Sequence, residues 1–228
     1  MIPALLIWLY NRYAAAASKK RAERMQSANF HKITNGGTAL LLFLFCFSFT
    51  VNAQEKRYTY HVLYNGNVIG EMLFHQKTEG QDTFLKMSSQ VKTRFVFGIE
   101  VNTVDQSRFR NGKLLFSNVY RNVNGKEKES KKTTWLDPHY QMQSVSKTGT
   151  ISVPIHYNMM LLYCREPNNI AEVYSDNFQK FLPIQKIDTH AYRIQLPDGN
   201  HNDYYFQNGI CKSVVVHHSL YTIKMELV

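Results

Sequence analysis

The sequence lacks the motifs that identify most enzyme active sites. It contains no Gly-x-Ser-x-Gly nucleophile elbow, no His-Glu-x-x-His zinc motif and no glycine-rich loop that could cradle a phosphate. The adjacent pair His217 and His218 falls on a predicted strand, where successive side chains point to opposite faces, so these two rings cannot easily share one metal. These absences predict a protein that is not an enzyme and has neither a cofactor nor a metal.

Charged residues are absent from one stretch near the start of the chain. Residues 33–54 carry no Asp, Glu, Lys or Arg, and they surround an apolar core at 39–51 that follows several Lys and Arg. Basic, apolar and small residues in this order are typical of a secretory signal peptide. We predict a signal peptide at 25–53, cleaved between Ala53 and Gln54. We expect residues 1–24 to be an over-extended start, because Met25 begins a signal of ordinary length, or else an extra n-region.

The signal predicts export, to the periplasm or cell envelope of a Gram-negative-type bacterium. Its apolar core is short for a helix that must cross roughly 30 Å of hydrocarbon. The alternative is an uncleaved signal that anchors the chain to the inner membrane, and it requires residues 36–38 to enter the bilayer as well. In both cases we expect membrane contact only through this segment.

Net positive charge is also smaller in the predicted mature chain than in the whole sequence. Removing residues 1–53 leaves a single domain at 54–228 with 21 basic and 16 acidic residues, and the net charge falls from +10 to +5. A charge of this size gives little support to nucleic-acid binding, and export argues further against it. We therefore expect no nucleic-acid partner.

Cysteine is scarce, and only Cys164 and Cys211 lie beyond the signal segment. In an oxidising compartment the two form a candidate disulfide. The alternative is a pair of unbridged cysteines that behave as small buried hydrophobic side chains. The sequence leaves both open.

What the sequence does contain is the pattern of a β-protein. Apolar and polar residues alternate at both ends of the region 57–227, and Asn-Gly or Asp-Gly dipeptides, which favour hairpin turns, occur at 65–66, 111–112, 124–125, 198–199 and 208–209. We predict a mainly β fold, a curved antiparallel meander of about a dozen strands. A sheet of that size cannot stay flat, so we expect a half-barrel or a barrel-like form.

One segment departs from the β pattern. Ile155, Met159 and Leu162 recur at helical spacing between Pro154 and Pro167. This predicts one amphipathic helix near 154–165 that covers the sheet.

Three stretches of the chain resemble a family of exported bacterial proteins that is catalogued only as a domain of unknown function. They are Tyr64-Asn-Gly-Asn-Val-Ile-Gly70; Leu162-Tyr163 with Glu166-Pro167 and Val173-Tyr174-Ser175; and Leu196-Pro-Asp-Gly199 with Tyr204-Tyr205 and Asn208-Gly-Ile-Cys211. The resemblance covers essentially all of the mature region and implies no catalytic residue. More distantly, a curved sheet with a covering helix is similar to the periplasmic lipoprotein-carrier fold, which holds acyl chains in a half-barrel.

Aromatic side chains in successive strands, together with the methionines of the predicted helix, could line an apolar groove or fill a core. The candidate groove residues are Phe95, Phe97, Phe109, Phe116, Tyr120, Trp135, Met159, Met160 and Tyr163. The leading hypothesis is a noncatalytic envelope protein that binds an apolar ligand, such as a lipid or a lipoprotein segment. The alternatives are a structural or assembly module that binds an envelope protein, and an unrecognised hydrolase or metal enzyme.

Overall fold

The computed structural model describes residues 53–93 and 98–228, which all belong to one compact unit, Val51–Val228. Fourteen strands lie in these residues. They are β1 (Gln54–Tyr64), β2 (Asn67–Glu79), β3 (Asp82–Thr93), β4 (Ile99–Arg110), β5 (Lys113–Val123), β6 (Lys126–Trp135), β7 (Tyr140–Ser144), β8 (Thr148–Ile151), β9 (Glu172–Ser175), β10 (Lys180–Asp188), β11 (Ala191–Gln195), β12 (His201–Gln207), β13 (Ile210–His218) and β14 (Tyr221–Leu227).

The predicted signal segment lies outside the described residues except for Ala53, and cleavage there stays a prediction. Strand β1 begins at the next residue, Gln54. Among the described residues, no helix combines the length and the apolar content needed to cross a membrane.

All fourteen strands form one open antiparallel sheet, which confirms the predicted fold class. Two meanders, β1–β8 and β9–β14, are joined where the first and last strands pair, with Tyr60 opposite Leu227 and Val62 opposite Met225. The prediction of about a dozen strands omitted the two edge strands, β8 and β9. Both are only four residues long, too short for alternation to be recognised.

The Asn-Gly dipeptides form the predicted hairpins. At each of the four, both residues have positive φ, for example 47° and 78° at Asn65 and Gly66. Two consecutive residues with positive φ are what the tight type I′ turn needs, and its twist matches that of the flanking strands. These turns set the register of the meander, and therefore which side chains face inward.

The inner face of the sheet carries the core. Tyr60, Phe74 and Tyr204 are almost completely buried there, and the aromatic ring of Tyr163 packs against all three, with centroid separations of 5.5, 5.8 and 6.2 Å. Burying one large apolar side chain contributes about 1.5–3 kcal/mol. The rings on β1, β2 and β12 thus converge on a single residue of the segment that crosses the interior.

The predicted covering helix at 154–165 is wrong in length and type. Only a short 3₁₀ helix forms, at Met159–Tyr163. The residues that precede this helix form hydrogen bonds with strands of the sheet instead. The Leu114 N–H donates to the Ile155 carbonyl at 2.8 Å, and the Tyr174 N–H donates to the Tyr157 carbonyl at 2.9 Å. These lateral hydrogen bonds replace those that a first helical turn would have made.

Asn158 begins the 3₁₀ helix and connects it to both meanders. Its Oδ1 accepts a hydrogen bond from the Leu161 N–H at 3.3 Å, and its Nδ2 donates to Ser107 Oγ on β4 at 2.8 Å and to Asp176 Oδ2 beyond β9 at 2.9 Å. The residue is completely buried. The sheet therefore curls around the segment that contains this helix.

The two ends of the sheet meet through side chains. Tyr174 Oη on β9 lies 3.0 Å from Thr133 Oγ1 on β6, and Gln179 Nε2 donates to the Lys132 carbonyl at 2.9 Å. No ladder of backbone hydrogen bonds joins β8 to β9 within the described residues, so the sheet stays open.

Cys164 and Cys211 are both free, and the candidate disulfide is not formed in the structure. The Cys164 thiol donates to the Leu161 carbonyl, and the Cys211 thiol donates to the Ser213 carbonyl. Burial raises the pKa of Cys164 to about 11 and that of Cys211 to about 12. They correspond to the alternative of unbridged cysteines, with Cys211 buried and Cys164 partly buried, and the raised pKa values make both thiols unreactive.

Gly70, at the end of the motif Tyr64–Gly70, marks a close approach of two strands. A Cβ atom added there would lie 2.2 Å from the Gln90 carbonyl oxygen and 2.8 Å from Val91 Cα, both in the backbone of β3. Backbone atoms cannot move aside as a flexible side chain can. The glycine in this motif is therefore required by strand packing.

We expect Gly70→Ala to lower the free energy of unfolding by about 2 kcal/mol, because overpacking forces a backbone shift between β2 and β3. Chemical denaturation followed by circular dichroism measures the loss. Gly98→Ala is the control, since a Cβ there meets nothing within 4 Å. Equal stabilities of the two variants would contradict the packing argument.

Candidate functional site

A cavity of about 370 Å³ that is partly open to solvent, which we call the interior cavity, lies where the two halves of the curled sheet face each other. One wall comes from β3, β4 and β5, the opposite wall from β12 and β13, and the floor from the 3₁₀ helix and the turn after β9. The lining residues are Met87, Asp105, Val119, Arg121, Met159, Met160, Tyr163, Ser175, Asp176, Asn177, Phe178, Leu196, Asp198, Asn200, Asn202, Tyr204, Val216, His218 and Tyr221.

The register of the strands determines which side chains line the two walls of the cavity. Met87, Asp105 and Val119 are directly opposite one another on β3, β4 and β5, so they form a row across the inner face. On the facing wall Asn202 on β12 is opposite Val216 on β13. Because alternate residues of a strand share a face, this register brings polar and apolar side chains into one chamber.

Two carboxyl groups lie in the cavity wall, and both have raised pKa values. Burial, the charge of Asp176 and, to a smaller extent, Glu129 raise the pKa of Asp105 to about 7, although Arg121 opposes the shift. Burial also raises the pKa of Asp176 to about 6, against the hydrogen bonds that it receives from Ser117 and Asn158. Perturbed carboxyl groups in a cleft are a physical indication of a functional site.

The nearest cation is already paired. Arg121 Nη1 lies 3.2 Å from Glu129 Oε2, and Lys131 Nζ lies 3.0 Å from Glu129 Oε1. Arg121, the cation that acts on the Asp105 carboxyl group, is therefore already engaged in an ion pair with Glu129. Asp105 and Asp176 thus face the chamber without an ion-pair partner of their own among the described residues.

Three oxygens of the lining have no hydrogen-bond partner within the described part of the chain. They are Asp105 Oδ1, Asp176 Oδ1 and Asn202 Oδ1, and each is buried. A buried acceptor without a partner costs about 1–3 kcal/mol. All three are acceptors, so the cavity is complementary to a group that donates hydrogen bonds.

The structure brings only some of the sequence-predicted groove residues together. Met159, Met160 and Tyr163 line the cavity. Phe109 is buried in the core, and Trp135 packs edge-on against Tyr140 with centroids 4.8 Å apart.

The remaining candidates lie elsewhere. Phe116 and Tyr120 pair with Arg108 and Val104 on the outer face, away from the cavity, because a register shift after Arg108 changes the alternation. Phe95 and Phe97 lie outside the described residues.

Two other depressions are weaker candidates. One of about 600 Å³ runs along β2, β3 and β4 beside Leu73, Ser88 and Val104, and one of about 240 Å³ lies near Phe109 and His156. Neither is lined by any buried polar atom that lacks a partner among the described residues. The interior cavity is therefore the best candidate site.

A second cluster, which the sequence did not reveal, lies on the outer face of β12 and β13. His201, Asp203 and His217 converge there, with ligand atoms all within 4.8 Å of one another. Burial, with smaller contributions from Arg193 and His217, lowers the pKa of His201. Finding this cluster required the register of the two strands, because its members are up to 16 positions apart.

Comparisons with known proteins agree with the fold. The model of a domain of unknown function, DUF6134, matches residues 60–228. No curated protein matches the sequence. Among solved structures, the chain is similar to a beta-barrel-like protein of the domain of unknown function DUF1849 from Brucella abortus, with a TM-score of 0.52 and 9% identity over 77% of this chain and 96% of that one.

We expect Asp105→Asn to stabilise the protein more at pH 8 than at pH 4.5, by on the order of 2 kcal/mol. The raised pKa means that the folded state binds the proton more tightly than the unfolded chain, so the wild type loses stability as the pH rises from about 4 to about 7. The asparagine cannot ionise and avoids this loss. Denaturant unfolding at both pH values measures the difference.

The exposed Asp188 provides the matched control, because Asp188→Asn makes the same chemical change outside the cavity. The other charged or titratable groups that face or line the chamber are Asp176, Arg121, Glu129, Asp198 and His218. Because the charge of Asp176 helps to raise the pKa of Asp105, the measured difference includes the relief of that repulsion as well as the loss of the buried carboxyl group. If both variants changed stability equally at the two pH values, the buried and unpaired state of Asp105 would be disproved.

Proposed function

We propose that this chain, which belongs to the DUF6134 family of domains of unknown function, is a noncatalytic binding protein of the cell envelope. Its ligand is a small molecule with an apolar body and a cationic group that donates hydrogen bonds. The observation that carries the proposal is the interior cavity whose buried, unpartnered polar atoms are all acceptors.

The size and lining of the cavity support a small ligand. Pockets for small molecules measure roughly 300–1,000 Å³ and combine an apolar lining with a few placed polar groups. At about 370 Å³ this cavity is near the lower limit, so a single short chain or ring system suits it better than a diacyl lipid. Met87, Met159 and Met160 supply a deformable apolar surface for that body.

The charges support a cationic group on the ligand. An ammonium that contacted Asp105 and Asp176 would give both carboxylates the opposite charge that they lack, and it would satisfy their free oxygens. A ligand carboxylate would instead meet two acidic groups. The proposal therefore refines the apolar ligand expected from the sequence by adding a positively charged donor.

A cavity-filling substitution tests the site. We expect Val216→Phe to weaken binding of the probe octylamine at least tenfold, because the ring would occupy the chamber that Val216 lines. Isothermal titration calorimetry with octylamine, octanol and octanoate as matched probes measures the affinities. The wild type should bind the amine most tightly, and Asp176→Asn should remove that preference while the affinity for octanol stays unchanged.

Val215→Phe is the control. Val215 is next to Val216 in the sequence but pairs with Asp203 on the outer face, so this substitution adds the same volume outside the cavity. Native mass spectrometry of the protein purified without detergent complements the titration by identifying any retained molecule. Equal effects of the two phenylalanine variants, or no saturable binding of any probe, would refute the proposed function. A co-purified protein in place of a small molecule would favour an assembly module.

A further inference from the structure

The outer face of β12 and β13 holds three side chains arranged as metal ligands. His201 and His217 are directly opposite each other on the two strands, and Asp203 lies two residues along β12 on the same face. The imidazole rings stack with centroids 4.3 Å apart and an angle of 18° between their planes. His217 Nε2 lies 3.4 Å from Asp203 Oδ2.

Asp203 is held in place by a neighbouring strand. Arg193 on β11 is opposite Asp203, and its Nε and Nη2 each donate to one carboxylate oxygen at 2.7 Å. Although Asp203 points to the outer face, it is only 2% exposed, because the arginine and the two histidines cover it. Each oxygen keeps a second lone pair beyond the bond to Arg193.

We propose that His201, Asp203 and His217 form a binding site for a divalent transition metal of the Zn²⁺ class. Two imidazole nitrogens and one carboxylate oxygen are ligands that Zn²⁺ takes at about 2.0–2.2 Å, and three protein ligands leave one tetrahedral position open to solvent. Ligand atoms of a tetrahedral Zn²⁺ site lie about 3.4 Å apart. The three ligand atoms here lie within 4.8 Å of one another, so side-chain rotations that bring them closer would let them reach a common ion. Arg193 orients the carboxylate as outer-shell partners of metal ligands do.

The site is independent of the interior cavity. None of its three ligands lines the cavity, and His218, which does, lies on the opposite face of the same strand. A metal bound to His201 and His217 would join β12 to β13 from outside the sheet. Loss of metal binding and loss of ligand binding are therefore separable by mutation.

The test is a titration of the protein with zinc chloride, after dialysis against a chelator and removal of that chelator. We expect one equivalent of Zn²⁺ to bind in calorimetry and to raise the midpoint of thermal unfolding, and Mg²⁺ to do neither, since it prefers all-oxygen sites. His201→Gln and His217→Gln should each weaken Zn²⁺ binding at least tenfold, and Arg193→Gln about tenfold through the misplaced carboxylate.

His218→Gln is the matched control, adjacent in sequence and on the other face, and it should bind Zn²⁺ as the wild type does. Thermal unfolding of each variant without metal tests whether the fold is retained. We expect it to be retained, because His201 and His217 are both partly exposed and glutamine in their place leaves no buried cavity. The spectrum of bound Co²⁺ provides a second readout of nitrogen and oxygen ligation. Absence of stoichiometric binding, unchanged affinity in His201→Gln and His217→Gln, or an equal loss in His218→Gln would overturn the proposal.

Discussion

The buried side chain of Asn158 is the interaction on which the rest of the structure depends. Fourteen antiparallel strands form an open sheet whose inner face must be covered, and the chain covers it with its own segment between β8 and β9. Asn158 begins the 3₁₀ helix of that segment and donates to Ser107 on one meander and to Asp176 beside the other. Without an amide at this position, three buried polar partners would each lose a hydrogen bond.

This way of covering the sheet also creates the chemistry of the interior. A fully apolar filling would have given a more stable core, whereas the structure leaves two carboxyl groups with raised pKa values beside a chamber. Local departures from the rules of good packing are expected at functional sites, where stability is given up for binding. The paired Arg121 and Glu129 keep the nearest positive charge engaged, so the chamber remains acidic in character.

Most of the fold could be predicted from local sequence, because hairpins are local structures. The Asn-Gly turns at Asn65, Asn111, Asn124 and Asn208 all form with the expected positive φ, and alternation located twelve of the fourteen strands. The helix prediction failed although the spacing of Ile155, Met159 and Leu162 is helical. The backbone carbonyls of Ile155 and Tyr157 accept hydrogen bonds from distant strands instead of from the next helical turn. A small part of the candidate site could be predicted too: Met159, Met160 and Tyr163 line the cavity, but its carboxyl groups were missed.

The sequence by itself determined the class of the fold, its meander order and its turns, because each depends on residues a few positions apart. Only the tertiary structure decided which residues meet. Asp105 and Asp176 are 71 positions apart, and they share a cavity because the sheet curls around the buried segment. His201 and His217 face each other because a register shift after Tyr205 sets the pairing of β12 and β13. Register and curvature are properties of the whole sheet, so no local pattern could reveal either site.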